Sequence, residues 1–403
     1  MKILVLNSGS SSIKYSLFEM NGLQVLASGL IEQIAEAQSL HKSYLPDADG
    51  VMQSSLDQQH ITDHQQGLEI IIQHLQQSAV LKSAAELLAI GHRVVHGGEK
   101  FQQPTLINDQ VLADIRKMIP LAPLHNPANL TGIEVARKFA ENIPQVAIFD
   151  TAFHQSIPAK AFRYAIPKQL YEQEGIRRYG FHGTSHYYVA KQAAQFLDKP
   201  LSSINLITLH LGNGGSVTAI KQGQSVDTSM GMTPLEGLVM GTRSGDLDPA
   251  IAFYLNQNRG MSSAEIDNML NKESGLKGIC GENDMRAIHA MADAGDENAQ
   301  LAIEMYCYRV KKYIGAYCAV LGQVDALVFT GGIGENDIQI REKICEGLDL
   351  FGISIDLKKN AMHSQEILAI NEIYSTLKVL LIATNEEMEI AMQTQACVDG
   401  DSE

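Results

Sequence analysis

Residues 1–6 begin by alternating and then run apolar, the mark of a buried strand; the run breaks over residues 7–12, resumes over 13–20 and turns at Asn21-Gly22. A β-hairpin is therefore predicted at the start of the chain. The same phrase returns at residues 206–210, breaks over 211–215, resumes over 216–221 and turns at Gln222-Gly223. The chain thus reads as an internal duplication, two α/β halves each opened by a hairpin with a polar, glycine-bearing turn. Apolar runs at 146–149, 327–329 and 379–382 predict further strands, and the spacing of Tyr306, Val310, Ile314, Tyr317 and Leu321 predicts a helix ending before Gly322. Residues 53–77 are rich in Gln and are expected to form a surface helix and loop without chemistry. No Pro/Gly/Ser-rich linker separates the halves, so a direct crossing is expected near Asp150 and again near Asn385, giving domains 1–150 plus 385–403 and 151–384.

Composition narrows what such a chain can bind. With 403 residues, 45% hydrophobic and 19% charged, it can bury a large core and is not of the disordered class. Its formal net charge of −15 repels phosphate backbones and anionic membranes. Neither nucleic acid nor membrane is expected as a partner, and basic residues that bind an anionic substrate must be concentrated locally. The five cysteines are odd in number and without C-x-x-C spacing, which argues against a disulfide framework or a zinc site and for reduced thiols in the cytoplasm. No signal peptide and no membrane helix are expected.

Three loops could hold phosphate. Asn7-Ser8-Gly9-Ser10-Ser11-Ser12-Ile13-Lys14 offers a flexible glycine, hydroxyls and an amine. His210-Leu211-Gly212-Asn213-Gly214-Gly215-Ser216 lets a backbone approach a ligand closely. Thr330-Gly331-Gly332-Ile333-Gly334-Glu335-Asn336 lies between a strand and a helical pattern. Each alone reads equally as a tight structural turn; three spaced across a duplicated chain point jointly to a nucleotide. None fits a Walker A loop or completes G-x-G-x-x-G, which excludes the P-loop, protein-kinase and Rossmann readings. Arg93, His182 and Arg243 stand in glycine-rich contexts and are candidates for phosphoryl transfer, although a surface salt bridge or a capped histidine would look the same. Asp150 and Glu386 follow strands, and with Asn7 they make a plausible magnesium set. His92 and His96 have no third ligand and read as strand residues rather than a metal pair.

Segments 7–14, 91–99, 149–155, 177–186, 210–219, 237–249, 329–336 and 384–387 together resemble the acetate kinase family, whose propionate and butyrate kinase relatives share several of these motifs. The resemblance spans essentially the whole chain. It implies the duplicated fold of actin, the heat-shock ATPases and the sugar kinases, two domains around a central cleft, and reversible phosphorylation of acetate by ATP. It also implies a homodimer. Carried over position by position, Asn7 and Glu386 would serve Mg2+, or Mn2+ in its place, with Asp150 nearby. Ser12 and Lys14 would face the nucleotide phosphates. Arg93 would bind the acetate carboxylate, with Val95, Leu124, Phe181 and Pro234 around its methyl group, while His182, Arg243 and Asn213 would stabilise the transferring phosphoryl group. The nucleotide site would be lined by His210, Leu211, Gly212, Gly214, Asp284, Met285, Arg286, Gly332, Ile333, Gly334, Glu335 and Asn336. Cys280 stands where a small hydroxyl residue is expected.

Overall fold

The computed structural model describes residues 1–47, 50–123, 125–364 and 366–400. The chain forms two compact units, Met1–Ala152 with Asn385–Glu403, and Phe153–Thr384.

Unit 1 is built on strands β1 (Lys2–Ser8), β2 (Ile13–Glu19), β3 (Gln24–Glu32), β4 (Ser39–Pro46), β5 (Met52–Gln59), β6 (Leu87–Val94), β7 (Thr105–Leu106) and β8 (Gln145–Phe149). They lie in the order β5-β4-β3-β2-β1-β6-β8-β7. An antiparallel meander from β1 to β5 is extended on the other side by β6, parallel to β1, and β8, parallel to β6, with β7 antiparallel to β8 at the edge. The alternation in β1 explains why its sequence is an unbroken apolar run. Leu4 and Leu6 join a core with Leu68, Ile71 and Leu75 of the helix His64–Gln77, whereas Ile3 and Val5 face Ile390 and Ala391 of the helix Glu386–Asp399. Both faces are covered, so both sets of side chains must be apolar. Gly91 of β6 lets the second helix approach, since a Cβ there would meet Thr394 Oγ1 at 2.3 Å.

Unit 2 contains β9 (Asn205–Leu211), β10 (Gly215–Lys221), β11 (Gln224–Thr228), β12 (Ala326–Thr330), β13 (Leu368–Ala369) and β14 (Lys378–Leu381). Their order is β11-β10-β9-β12-β14-β13, with β12 parallel to both β9 and β14. The series β11-β10-β9-β12-β14 repeats β3-β2-β1-β6-β8, the duplication anticipated from the two hairpins. The predicted helix is Glu297–Leu321, and its five periodic residues are all buried against one face of this sheet. The helix Gly183–Phe196 covers the other face through Val189, Ala190 and Ala193.

One expectation holds only in part. The helix is there, at His64–Gln77, but residues 53–59 form most of the edge strand β5, with every side chain exposed. Polar side chains hid the strand because its pairing with β4 is a backbone matter and both of its faces are wet. Among the described residues no helix is long and apolar enough to cross a membrane.

Candidate functional site

In each unit the candidate groups gather at the carboxyl ends of parallel strands, where open α/β sheets present their ligands. In unit 1 these are Asn7 near the end of β1, Arg93 near the end of β6 and Asp150 directly after β8. Arg93 Nε lies 3.1 Å from both carboxylate oxygens of Asp150, and its Nη2 donates to Oδ2 at 2.6 Å. Its Nη1 is 3.4 Å from Asn7 Oδ1, and Nε is 3.9 Å from Glu386 Oε2. Asp150 is 1% exposed, so this ion pair holds a buried carboxylate while keeping the arginine partly open. Burial opposes the charge on Arg93, but Asp150 and Glu386 outweigh it and hold the guanidinium above its ordinary pKa.

Glu386 and Glu387 stand in the first turn of the helix Glu386–Asp399, which Asn385 caps by accepting from Met388 N at 3.0 Å. A helix N-terminus favours negative charge there. Burial nevertheless pushes the Glu386 carboxyl up to about 7; Arg93 works against the rise, and Asp150 and Glu387 add to it. Lys14 Nζ pairs with Glu387 at 2.5 Å, a partner that sequence spacing does not reveal. The loop after β1 is closed by Gly9 N donating to Ser12 O at 2.8 Å. Val95 is buried, and its N–H donates to Asn129 Oδ1 at 3.0 Å. Since β6 ends at Val94, strand alternation does not by itself aim Val95 to the side of Arg93. Leu124 lies outside the described residues. His92 Nε2 bonds Gln145 Oε1 at 2.8 Å, and His96 Nδ1 accepts from Gly98 N at 3.0 Å, so both are engaged in the framework.

In unit 2 the centre is His182, a non-glycine residue at φ 57° that begins the helix Gly183–Phe196. Backbone held in this region costs free energy and persists where the surroundings enforce it, often at functional sites. Ser216 Oγ lies 2.9 Å from His182 Nδ1 and 2.7 Å from His186 Nε2, and His186 Nδ1 meets Thr208 Oγ1 at 2.7 Å. Burial holds His186 well below its ordinary pKa, so it enters this chain as a neutral ring. The His210 ring stacks on His182 at 4.3 Å and is anchored by Ser185 Oγ at 2.8 Å from Nδ1.

Gly214 brings the loop beside these groups: a Cβ there would stand 3.6 Å from both His182 Nε2 and Arg243 Nη1. Arg243 donates to Pro234 O at 3.2 Å, and among the described residues no carboxylate lies within ion-pair distance of it. Burial lowers its pKa with nothing to offset the effect. Gly241 lets the Asn213 side chain lie against it, since a Cβ at 241 would meet Asn213 Oδ1 and push that side chain aside. Asn213 is exposed, and its carbonyl accepts from Gly241 N at 2.9 Å.

The third loop is the short helix Gly331–Asn336. Glu335 Oε1 accepts from Gly331 N at 2.8 Å, Thr330 Oγ1 at 3.2 Å and Thr384 N at 3.1 Å. Its other end is pinned by Arg341, which donates to Gly334 O at 3.0 Å and Glu335 O at 2.9 Å. Gly332 and Asn336 are exposed and Ile333 is half-buried. Asp284 caps the helix Met285–Asp293 and pairs with the exposed Arg286 at 2.6 Å, but the Met285 side chain is buried in the core, as are those of Leu211 and Phe181. Ser216, His186, Arg341 and Glu387 were not anticipated. Their roles come from contacts across the sheet or between chain ends, although the position of Ser216 directly after Gly214-Gly215 was a usable hint.

Two sheets with the same five-strand series at their centre, each covered there by helices on both faces and presenting polar groups at its strand ends, define the duplicated fold of the actin-like ATPases. The sequence model of the acetokinase family matches residues 2–392, and the chain belongs to that family. The acetate kinase of Desulfotalea psychrophila is 53% identical over 405 residues, covering 99% of this chain and 100% of that protein. The crystal structure of Porphyromonas gingivalis acetate kinase superposes with a TM-score of 0.91 at 44% identity, covering 98% of this chain and 99% of that one. A propionate kinase from Francisella tularensis subsp. tularensis is as similar in structure, with a TM-score of 0.91 and 46% identity over 98% of this chain and 99% of its own.

Proposed function

We propose that the protein transfers the γ-phosphoryl group of ATP to acetate, reversibly, giving acetyl phosphate and ADP. The observation that carries this reading is Arg243, a partly buried cation without an acid partner among the described residues, next to His182 and a glycine loop. Such a group is prepared for an anion that arrives with the substrate. Names of full-length relatives supply the acceptor.

In the reaction an acetate oxygen bonds to the γ-phosphorus as the bond from phosphorus to the β,γ-bridging oxygen breaks, and ADP leaves with that electron pair. Acetate is already ionised at neutral pH, since carboxylic acids titrate at about 4, so no general base is required. Arg93 binds the acetate carboxylate, and Asp150 orients Arg93 through the bonds described above. Arg243, His182 and Asn213 donate to the phosphoryl oxygens, with Ser216 and His186 fixing the His182 ring. Asn213, Gly212, Gly214, His210, Gly332, Ile333, Asn336, Asp284 and Arg286 receive the nucleotide.

The donors in unit 1 fit a magnesium ion: Asn7, Asp150 and Glu386 offer only oxygens. The carboxylates of Asp150, Glu386 and Glu387 stand beside the cations Arg93 and Lys14, so a cation added among them meets oxygen donors of opposite charge. Asn7 and Glu386 would hold the ion, which when bound neutralises charge on the nucleotide phosphates. Glu386→Ala and Asn7→Ala are each expected to raise the magnesium concentration needed for half-maximal activity without unfolding the chain. Magnesium titrations that superimpose on wild type would remove both residues from this role.

The preference for acetate is assigned to Val95, buried two residues after Arg93. Val95→Ala removes about two methyl groups, room for the extra methylene of propionate, a difference typically worth about 1–3 kcal/mol in an apolar pocket. The propionate-to-acetate ratio of kcat/KM is expected to rise roughly 10-fold or more. Rates of wild type and variant on acids from formate to butyrate test both the function and the pocket. Wild type favouring propionate would replace acetate as the substrate, and an unchanged ratio in a folded variant would remove Val95. The largely exposed Leu350, Ile373 and Tyr374 support assembly as a homodimer, and five unpaired thiols support a reducing, cytoplasmic setting.

A further inference from the structure

Unit 1 carries a second group of metal-binding side chains, outside the residues assigned above. His41 of β4 stands directly across from Asp57 of β5, and His74 comes from the last turn of the helix His64–Gln77. One ligand atom from each lies within 4.8 Å of the other two. Pairing fixes His41 and Asp57 on the same face of the sheet, which this helix covers at β4 and leaves open at β5.

The surroundings prepare His41 as a ligand. It is 1% exposed, and its Nε2 lies 3.1 Å from the Tyr15 hydroxyl. In the tautomer whose Nε2–H donates to the Tyr15 oxygen, Nδ1 carries the lone pair for a metal, and such an outer hydrogen bond is what sets the tautomer and angle of a metal-bound imidazole. Tyr15 reaches across β3 only because residue 29 is glycine: a Cβ there would meet the Tyr15 hydroxyl at 2.5 Å. The His74 ring meets His41 edge-on at 5.1 Å, with its Nε2 3.3 Å from Ser43 Oγ.

Two imidazoles and one carboxylate suit zinc, cobalt, nickel or copper and not magnesium, which takes oxygen. We propose that His41, His74 and Asp57 bind one divalent transition-metal ion, with water at the remaining positions, tying the β4–β5 ribbon to the helix His64–Gln77. Tetrahedral bonds of ~2.1 Å set donors ~3.4 Å apart, so atoms that lie within 4.8 Å of one another must draw in by at most about 1.4 Å. The exposed Asp57 side chain is free to supply much of that movement. The site has a mechanical use, since β5 is an edge strand with every side chain exposed and pairs only with β4.

Cobalt titration of the full chain, with magnesium saturating, tests the proposal. One equivalent of Co2+ is expected to give saturable visible d–d absorption that Zn2+ bleaches. His74→Gln and Asp57→Asn are each expected to weaken cobalt binding by at least about 10-fold, by the scale on which metal sites respond to lost partners. Phosphoryl transfer with magnesium stays at the wild-type rate in both. Asp57→Asn changes an exposed edge residue and keeps the test valid if His74→Gln fails to fold. A cluster that is only a polar network around Tyr15 and Ser43 gives no saturable band, or a band that Asp57→Asn leaves unchanged, and either result overturns the proposal.

Discussion

Arg243→Ala is expected to lower kcat by roughly 100- to 1,000-fold while changing the KM for ATP little, the scale seen when a preorganised donor to a developing charge is deleted. The reason lies in what Arg243 touches without substrate: a backbone carbonyl and the sulfur of Met240, and no acid among the described residues. Its charge is therefore unspent in the resting protein and acts on the transferring group, where it lowers the transition state more than the ground state. The fold loses little, because no buried counter-ion is left behind. Steady-state kinetics over ATP and acetate decide the matter. A variant with wild-type kcat that merely needs more ATP would reduce Arg243 to a nucleotide-binding residue.

Arg93→Met is expected to fail in two separable ways. Removing the guanidinium leaves Asp150, 1% exposed, as an uncompensated buried carboxylate, a change that typically costs about 3–5 kcal/mol. It also removes the acetate anchor; hydrogen bonds to charged groups are worth about 1.5–3 kcal/mol, so the KM for acetate is expected to rise roughly 10- to 100-fold. The double variant Arg93→Met/Asp150→Leu distinguishes the two effects. It is expected to recover much of the stability, since an apolar pair can replace a buried ion pair, and none of the acetate binding. Urea unfolding of the three proteins beside their acetate kinetics is the check. Recovery of acetate affinity together with stability would show that Arg93 is structural only.

The sequence was most readable where a local rule sufficed. The hairpins around Asn21-Gly22 and Gln222-Gly223 carried the duplication, and the 3.6-residue spacing from Tyr306 to Leu321 carried the long helix. It was least readable where tertiary pairing decides. Residues 53–59 became a strand because β4 offers them backbone partners, against their own polar character. The Lys14–Glu387 pair joins positions at opposite ends of the chain, and no spacing rule reaches that far. His182 could be singled out from its glycine neighbours, but its positive φ and the Ser216–His186 support follow from the packing of the helix Gly183–Phe196 on β9 and β10.

The most direct test of the central claim is to incubate the purified protein with ATP, magnesium and acetate, trap acyl phosphate with hydroxylamine, and count it against ADP. The account predicts acetyl hydroxamate and ADP in equal amounts, with no ADP formed when acetate is left out. ADP released as free phosphate regardless of acetate, with no hydroxamate, would contradict it.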